Sequence, residues 1–124
     1  MFLLRTNLKE RHFGKMINYY INKYGNKYWV NEKDIAHRED GPAYIFANGE
    51  KHWFQHGERH RDGGPAIELN DGTLMWFKYG KKHREDGPAV KNFEGTQEWW
   101  LDDRQIIVDS QEEFERMLKV KSFW

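Results

Sequence analysis

His37-Arg38-Glu39-Asp40-Gly41-Pro42-Ala43 returns as His60-Arg61-Asp62-Gly63-Gly64-Pro65-Ala66 and again as His83-Arg84-Glu85-Asp86-Gly87-Pro88-Ala89. The copies stand 23 residues apart and hold all three prolines of the chain. The same offset relates Trp53, Trp76 and Trp99, and relates Phe54, Phe77 and Trp100. It also relates Asn48-Gly49, Asp71-Gly72 and Glu94-Gly95, and it links Gly57 to Gly80, with Asp103 in the glycine position of the last copy. A degenerate copy comes first, since Gly25 and Trp29 lie 24 residues before Gly49 and Trp53. A fixed period of this length marks a repeat architecture, in which each unit buries its apolar face against its neighbours.

Each copy reads as two strands and two turns. Residues 43–47, 66–70 and 89–93 form the first strands, and 50–55, 73–78 and 96–101 the second, both enriched in β-branched and aromatic residues. Asn-Gly and Asp-Gly between them favour the positive φ values of a two-residue type I′ hairpin. The Gly-Pro of the repeated phrase bends the chain back, because proline lacks a donor and suits the first residue of a strand. The expected product is an antiparallel meander of about eight strands. Alternation puts Tyr44, Ile67 and Val90 in one column beside Phe46, Leu69 and Asn92, with Ala43, Ala66 and Ala89 on the other face. The Trp53 column and the Phe54 column likewise point to opposite faces. Large aromatics on both faces leave one for the core; the other must be covered, curled inward or offered to a partner.

The ends differ from the middle. Ser110-Gln111-Glu112-Glu113 matches a capping box, and Phe114, Met117 and Leu118 follow at helical spacing, so a helix is predicted over residues 110–120. It is expected to cover the last strand, as terminal elements of repeat arrays do. Residues 16–23 read as the second strand of a broken copy, while the first 15 residues fit helix or strand. The chain divides into an N-terminal cap with a half-repeat (1–27), the hairpin repeats (28–107) and a C-terminal helix and tail (108–124), within one domain.

Composition narrows the function. Hydrophobic residues make up 38% and aromatics 16%, so burial rests on few, large side chains, as suits a thin repeat protein. Lysine plus arginine and aspartate plus glutamate are 20 each, leaving no global field for nucleic acid or an anionic membrane. Cysteine is absent, which excludes disulfides and thiolate ligands and fits a cytoplasmic protein. Neither a signal peptide nor a membrane span is read in the sequence.

The pattern W-F-x-x-G-x-x-H, as Trp53-Phe54 to Gly57 to His60 and Trp76-Phe77 to Gly80 to His83, resembles the MORN family of β-hairpin repeats. The H-R-x-x-G-P-A ending is similar to a MORN-like variant of small phage and bacterial proteins. The resemblance spans residues 28–107. Arg38, Arg61 and Arg84 stand where the usual repeat has glycine after the histidine, and the Tyr-x-Gly before the tryptophan is missing, so MORN lipid contact is not carried over. The resemblance implies a scaffold or binding module in a bacterial or host-cell cytoplasm, with no catalytic residues.

Possible chemistry is set against plainer readings. His37, His60 and His83 sit two strands apart, roughly 9–10 Å, too far to share one metal ion, and read as hydrogen-bonded turn residues. His56, spaced by four from His52 and His60, falls on a turn rather than a helix face. Arg38, Arg61 and Arg84 read first as partners of neighbouring acids, and second as a rail for phosphate or carboxylate groups. General acid–base catalysis needs one distinctive environment, which repetition does not provide. The candidate binding residues are therefore Arg38, Arg61 and Arg84 with Trp53, Trp76, Trp99, Phe54, Phe77 and Trp100. The expectation is a non-enzymatic module without cofactor or metal that binds another protein, as a phage or bacterial accessory or inhibitor acting on a host or defence protein. Self-association is a further partner reading; nucleic acid and membrane are not. The alternative is a small-ligand protein that binds or sequesters a nucleotide-like anion.

Overall fold

The computed structural model describes the backbone of Thr6–His12 and of residues 15–121, with side chains over residues 18–120. The fold is mainly antiparallel β with one C-terminal helix. It begins with a long hairpin of β1 (Thr6–His12) and β2 (Lys15–Ile21), in register from Thr6↔Ile21 to His12↔Lys15. The described part of the ambiguous N-terminus is thus strand. Residues 16–23 were expected to be the second strand of the broken copy, but with Gly25 aligned on Gly49 the turn glycine follows β2, so β2 takes the place of a first strand. It pairs in turn with β3 (Lys27–Val30).

The first two complete copies then contribute four short strands each, where two were expected, and the last contributes three. In the first copy β4 (Tyr44–Ile45) pairs with β5 (Lys51–His52), and β6 (Phe54–Gln55) with β7 (Glu58–Arg59). The second copy repeats this with β8 (Ile67–Glu68), β9 (Leu74–Met75), β10 (Phe77–Lys78) and β11 (Lys81–Lys82). In the last, β12 (Val90–Lys91) pairs with the start of β13 (Gln97–Leu101), whose second half pairs with β14 (Arg104–Ile106). A ten-stranded meander runs β1-β2-β3-β4-β5-β8-β9-β12-β13-β14, and β6–β7 and β10–β11 form a second row of small hairpins.

The expected second strand breaks at its tryptophan for a backbone reason. The Trp53 N–H donates to the Ala66 carbonyl at 2.8 Å, while the Trp53 carbonyl accepts from the His60 N–H at 3.2 Å. Trp76 repeats both bonds with Ala89 and His83, at 2.7 and 3.2 Å. The tryptophan backbone therefore ties the main sheet on its amide side to the second row on its carbonyl side.

Turn chemistry also differs from the expected register. At Asn48-Gly49 only the glycine has positive φ (97°), and the Phe46 N–H bonds to the Glu50 carbonyl around a three-residue loop. This is a turn closed by a glycine bulge, and Asn48 Oδ1 reinforces it by accepting from the Glu50 N–H at 3.0 Å. Gly72 and Gly95 are equivalent, at φ 95° and 91°. Paired positive φ values, as type I′ requires, occur instead in the second row, at His56-Gly57 (50° and 84°), Tyr79-Gly80 (48° and 85°) and Asp102-Asp103 (48° and 65°).

Ala43, Ala66 and Ala89 are fully enclosed between the two rows, which leaves no volume for a larger side chain. The helix α1 (Gln111–Lys121) starts as the sequence predicts: the Glu113 N–H donates to Ser110 Oγ, and the Glu113 carboxylate accepts from the Asp109 N–H. Phe114, without solvent exposure, packs with Trp99 and Leu101.

Candidate functional site

The repeated phrase assigns each residue a structural task. Arg38, Arg61 and Arg84 lay their guanidinium groups on Trp29, Trp53 and Trp76, at 3.9, 4.0 and 3.9 Å from the ring centroids. Each Nη1 donates to the carbonyl of the proline four residues on, at 3.1–3.2 Å. Arg38 and Arg84 also donate from Nε to Asp40 and Asp86, and Arg61 from Nη1 to Glu68. A side chain on Gly41, Gly64 or Gly87 would meet the guanidinium carbon at 3.0, 2.9 or 2.6 Å. Glycine precedes proline because the arginine lies flat against it.

The histidines hold the next copy. His37 Nδ1 accepts from the His56 N–H at 2.9 Å, His60 Nδ1 from the Tyr79 N–H at 3.1 Å, and His83 Nδ1 from the Asp102 N–H at 3.1 Å. Each thus fixes the first left-handed residue of the following type I′ turn. An accepting Nδ1 puts the proton of the neutral ring on Nε2, which faces Glu39, Asp62 or Glu85 at 3.5, 3.1 or 3.4 Å. The turn carries His56 onto the His37 ring, 4.3 Å between centroids, and Tyr79 onto His60 at 4.1 Å. Among the described residues no group of three histidine or carboxylate side chains is placed to hold a metal ion.

Trp99 has no arginine over it, because Ile107 stands where the phrase would place one. The helix takes that role: Phe114 lies 6.3 Å from the Trp99 ring, and Trp99 Nε1 donates to Gln111 Oε1 at 2.8 Å. One face of the array is therefore closed along its length, by arginines over three tryptophans and by α1 over the fourth.

The other face is different. Tyr28, Tyr44 and Phe46 meet edge to face, with interplanar angles of 81–90°, and Tyr44 and Phe46 extend to Phe54 and His52. From there the second row carries aromatic and cationic groups alternately. Arg59, paired with Phe54 across β6–β7, sits 5.3 Å from the Phe54 ring and 5.8 Å from the Phe77 ring. Lys82, paired with Phe77 across β10–β11, sits 4.4 Å from the Trp100 ring. Phe54 is buried, Phe77 and Trp100 are half-buried and Arg59 is exposed. Among the described residues neither Arg59 nor Lys82 has a carboxylate within 4.0 Å, in contrast to the three phrase arginines.

His52 belongs to this face. Among the described residues neither ring nitrogen has a hydrogen-bond partner, and Glu50 Oε2, 3.9 Å from Nε2, is beyond bonding reach. Burial pushes its pKa below the ordinary value, the nearby Arg59 charge adds to this, and Glu50 opposes it. Burial likewise raises the Tyr44 hydroxyl.

The nine residues singled out in the sequence thus separate into two sets. Arg38, Arg61 and Arg84 cover Trp29, Trp53 and Trp76, and α1 covers Trp99. Phe54, Phe77 and Trp100 form the second, more open set, joined by Arg59, Lys82, Tyr28, Tyr44, Phe46 and His52. Hairpin register carried the signal for Arg59 and Lys82, since each lies directly across from a column aromatic. A groove of about 880 Å³ between the first two phrases is lined by Arg38, Arg61, Trp53 and Asp62. No helix among the described residues is long and apolar enough to cross a membrane. No family model, curated protein or solved structure matches the chain.

Proposed function

We propose that this protein is a non-enzymatic binding module that receives another protein on the face bearing Phe77 and Trp100. The observation that carries this reading is the inequality of the faces. One face spends its arginines and its helix covering its own tryptophans. The other presents half-buried aromatics beside two cations with no acidic partner among the described residues, the composition enriched at binding hot spots. The anion-sequestering alternative has weaker support, because the guanidinium groups along the groove already bind proline carbonyls and carboxylates. The sequence resemblance supplies the setting, a phage or bacterial accessory or inhibitor protein acting on a host or defence component.

Affinity capture from bacterial lysate, comparing wild type with Phe77→Ala/Trp100→Ala, tests the reading. Wild type is expected to retain a protein that the variant loses while melting as a folded protein. Equal capture by both, or recovery of a stoichiometric small anion with no protein, would overturn it.

A further inference from the structure

The run Phe54–Arg59–Phe77–Lys82–Trp100 has a period and a polarity that specify a ligand more narrowly than an aromatic face does. Each hairpin of the second row contributes one aromatic and the cation paired across from it. That cation reaches the aromatic of the next hairpin: Arg59 touches Phe77, and Lys82 touches Trp100. Successive rings are set by copies two main-sheet strands apart, about 9.4–9.8 Å. Cation and apolar ring therefore recur together at that interval along the array.

Three properties of an occupant follow. It carries negative charge at the same interval, because Arg59 and Lys82 are the charges along this run without acidic partners among the described residues. It offers apolar surface between the charges, to meet the exposed portions of Phe77 and Trp100. Its backbone repeats at about 9.3 Å with equivalent side chains on one edge, which is one turn of a polyproline II helix at three residues and about 3.1 Å each. A β-strand places residues i and i+3 on opposite faces, and an α-helix returns a side chain to the same face at about 5.4 Å or, after seven residues, about 10.5 Å, so the polyproline II turn matches the array more closely than either.

Resting on the protein-binding reading above, we infer that this face binds an extended acidic segment in polyproline II conformation, with a carboxylate at every third residue and apolar residues between. Arg59 and Lys82 receive successive carboxylates, and the prolines or other apolar residues pack on Phe77 and Trp100. Aromatic-lined grooves suit such segments because the ligand is already ordered before binding. A nucleic-acid strand also has charge and rings at intervals, but its phosphates recur about every 3.4 Å along a stacked strand, so most of them would meet no cation on this run.

The test is fluorescence anisotropy of the full chain with labelled peptides of repeated Pro-Pro-Glu, Pro-Pro-Gln and Pro-Pro-Lys, and with oligothymidylate. The Pro-Pro-Glu peptide is expected to bind best and to weaken with salt. Arg59→Gln/Lys82→Gln should cost it roughly ten-fold or more in affinity, the loss of two charge-assisted contacts. Lys51→Gln, on the opposite side of β5 from His52, should leave it unchanged. Equal binding of the Gln peptide, preference for oligothymidylate, or full binding by the double variant would overturn the inference. So would a dimer in sedimentation whose formation blocks this face and depends on Phe77, because a second copy would then be the occupant. Failure here together with a partner still lost by Phe77→Ala/Trp100→Ala would remove the ligand class and leave the protein-binding reading standing.

Discussion

Replacing His60 probes the joint between successive copies. Its side chain is 6% exposed, accepts from the Tyr79 N–H through Nδ1 at 3.1 Å, and lies 4.1 Å from the Tyr79 ring at an interplanar angle of 19°. His60→Ala removes a hydrogen bond contributing about 1 kcal/mol. It also removes a ring contact worth about 0.5–1 kcal/mol and opens a small void, for a total of about 2–3 kcal/mol. His83→Ala loses the same bond to Asp102 but no ring contact, and should cost about 1 kcal/mol less. The chemistry of the acceptor can be isolated. The amide oxygen of asparagine can occupy the Nδ1 position, whereas glutamine places its polar atoms near Nε2. His60→Asn should therefore recover roughly 1 kcal/mol relative to alanine, and His60→Gln should recover little. Equilibrium urea unfolding reads all four variants through the denaturation midpoint at constant slope. A loss below about 0.5 kcal/mol for His60→Ala, or equal rescue by glutamine and asparagine, would refute the proposed role of Nδ1.

Gly72 has φ 95°, and a Cβ placed on it would meet nothing within 4 Å, so Gly72→Val should cost about 1–2 kcal/mol through backbone strain alone, seen as a lower melting temperature. Phe114→Ala should destabilise by about 3–5 kcal/mol and shift Trp99 emission to the red as α1 loosens; an unshifted spectrum would contradict the covering role of the helix. His52→Met installs the residue that Met75 supplies in the next copy and removes ring nitrogens that have no hydrogen-bond partner among the described residues. Because the folded His52 pKa is lowered from 6.5, only the unfolded chain gains this proton as pH falls through about 6.5. Wild-type stability is lost from there down to the lower folded value. The melting-temperature advantage of His52→Met should widen between about pH 8 and about pH 5.5, and a constant or shrinking gap would refute it.

Much of the architecture was legible because the period fixes it. The β class, the C-terminal helix with Ser110 as its cap, and the alternation that separates Tyr44 from Ala43 all follow from spacing and side-chain parity. The break at Trp53 did not, because an amide bonded to one layer and a carbonyl bonded to another leave no mark in the composition of residues 50–55. The turn register was misleading for a related reason. Asn-Gly permits either a two-residue turn or a three-residue loop with a bulge, and the Phe46–Glu50 bond selects the second. His56, Tyr79 and Asp102 carry the left-handed turns although none is glycine, since a histidine from the preceding copy secures each amide.

The sequence by itself determined the repeat, its secondary-structure class and which residue types recur in step, since these depend on local geometry and on the spacing of apolar side chains. Only the tertiary structure decided what each recurring residue does. A guanidinium chooses between tryptophan, carbonyl, carboxylate and solvent according to what lies within a few ångströms, and the folded turns bring a tryptophan eight or nine residues back onto the same group as a proline carbonyl four residues on. That is why Arg38, Arg61 and Arg84, the most conspicuous charges in the sequence, cover the protein's own tryptophans, while Arg59 and Lys82, outside the repeated phrase, have no carboxylate within 4.0 Å among the described residues.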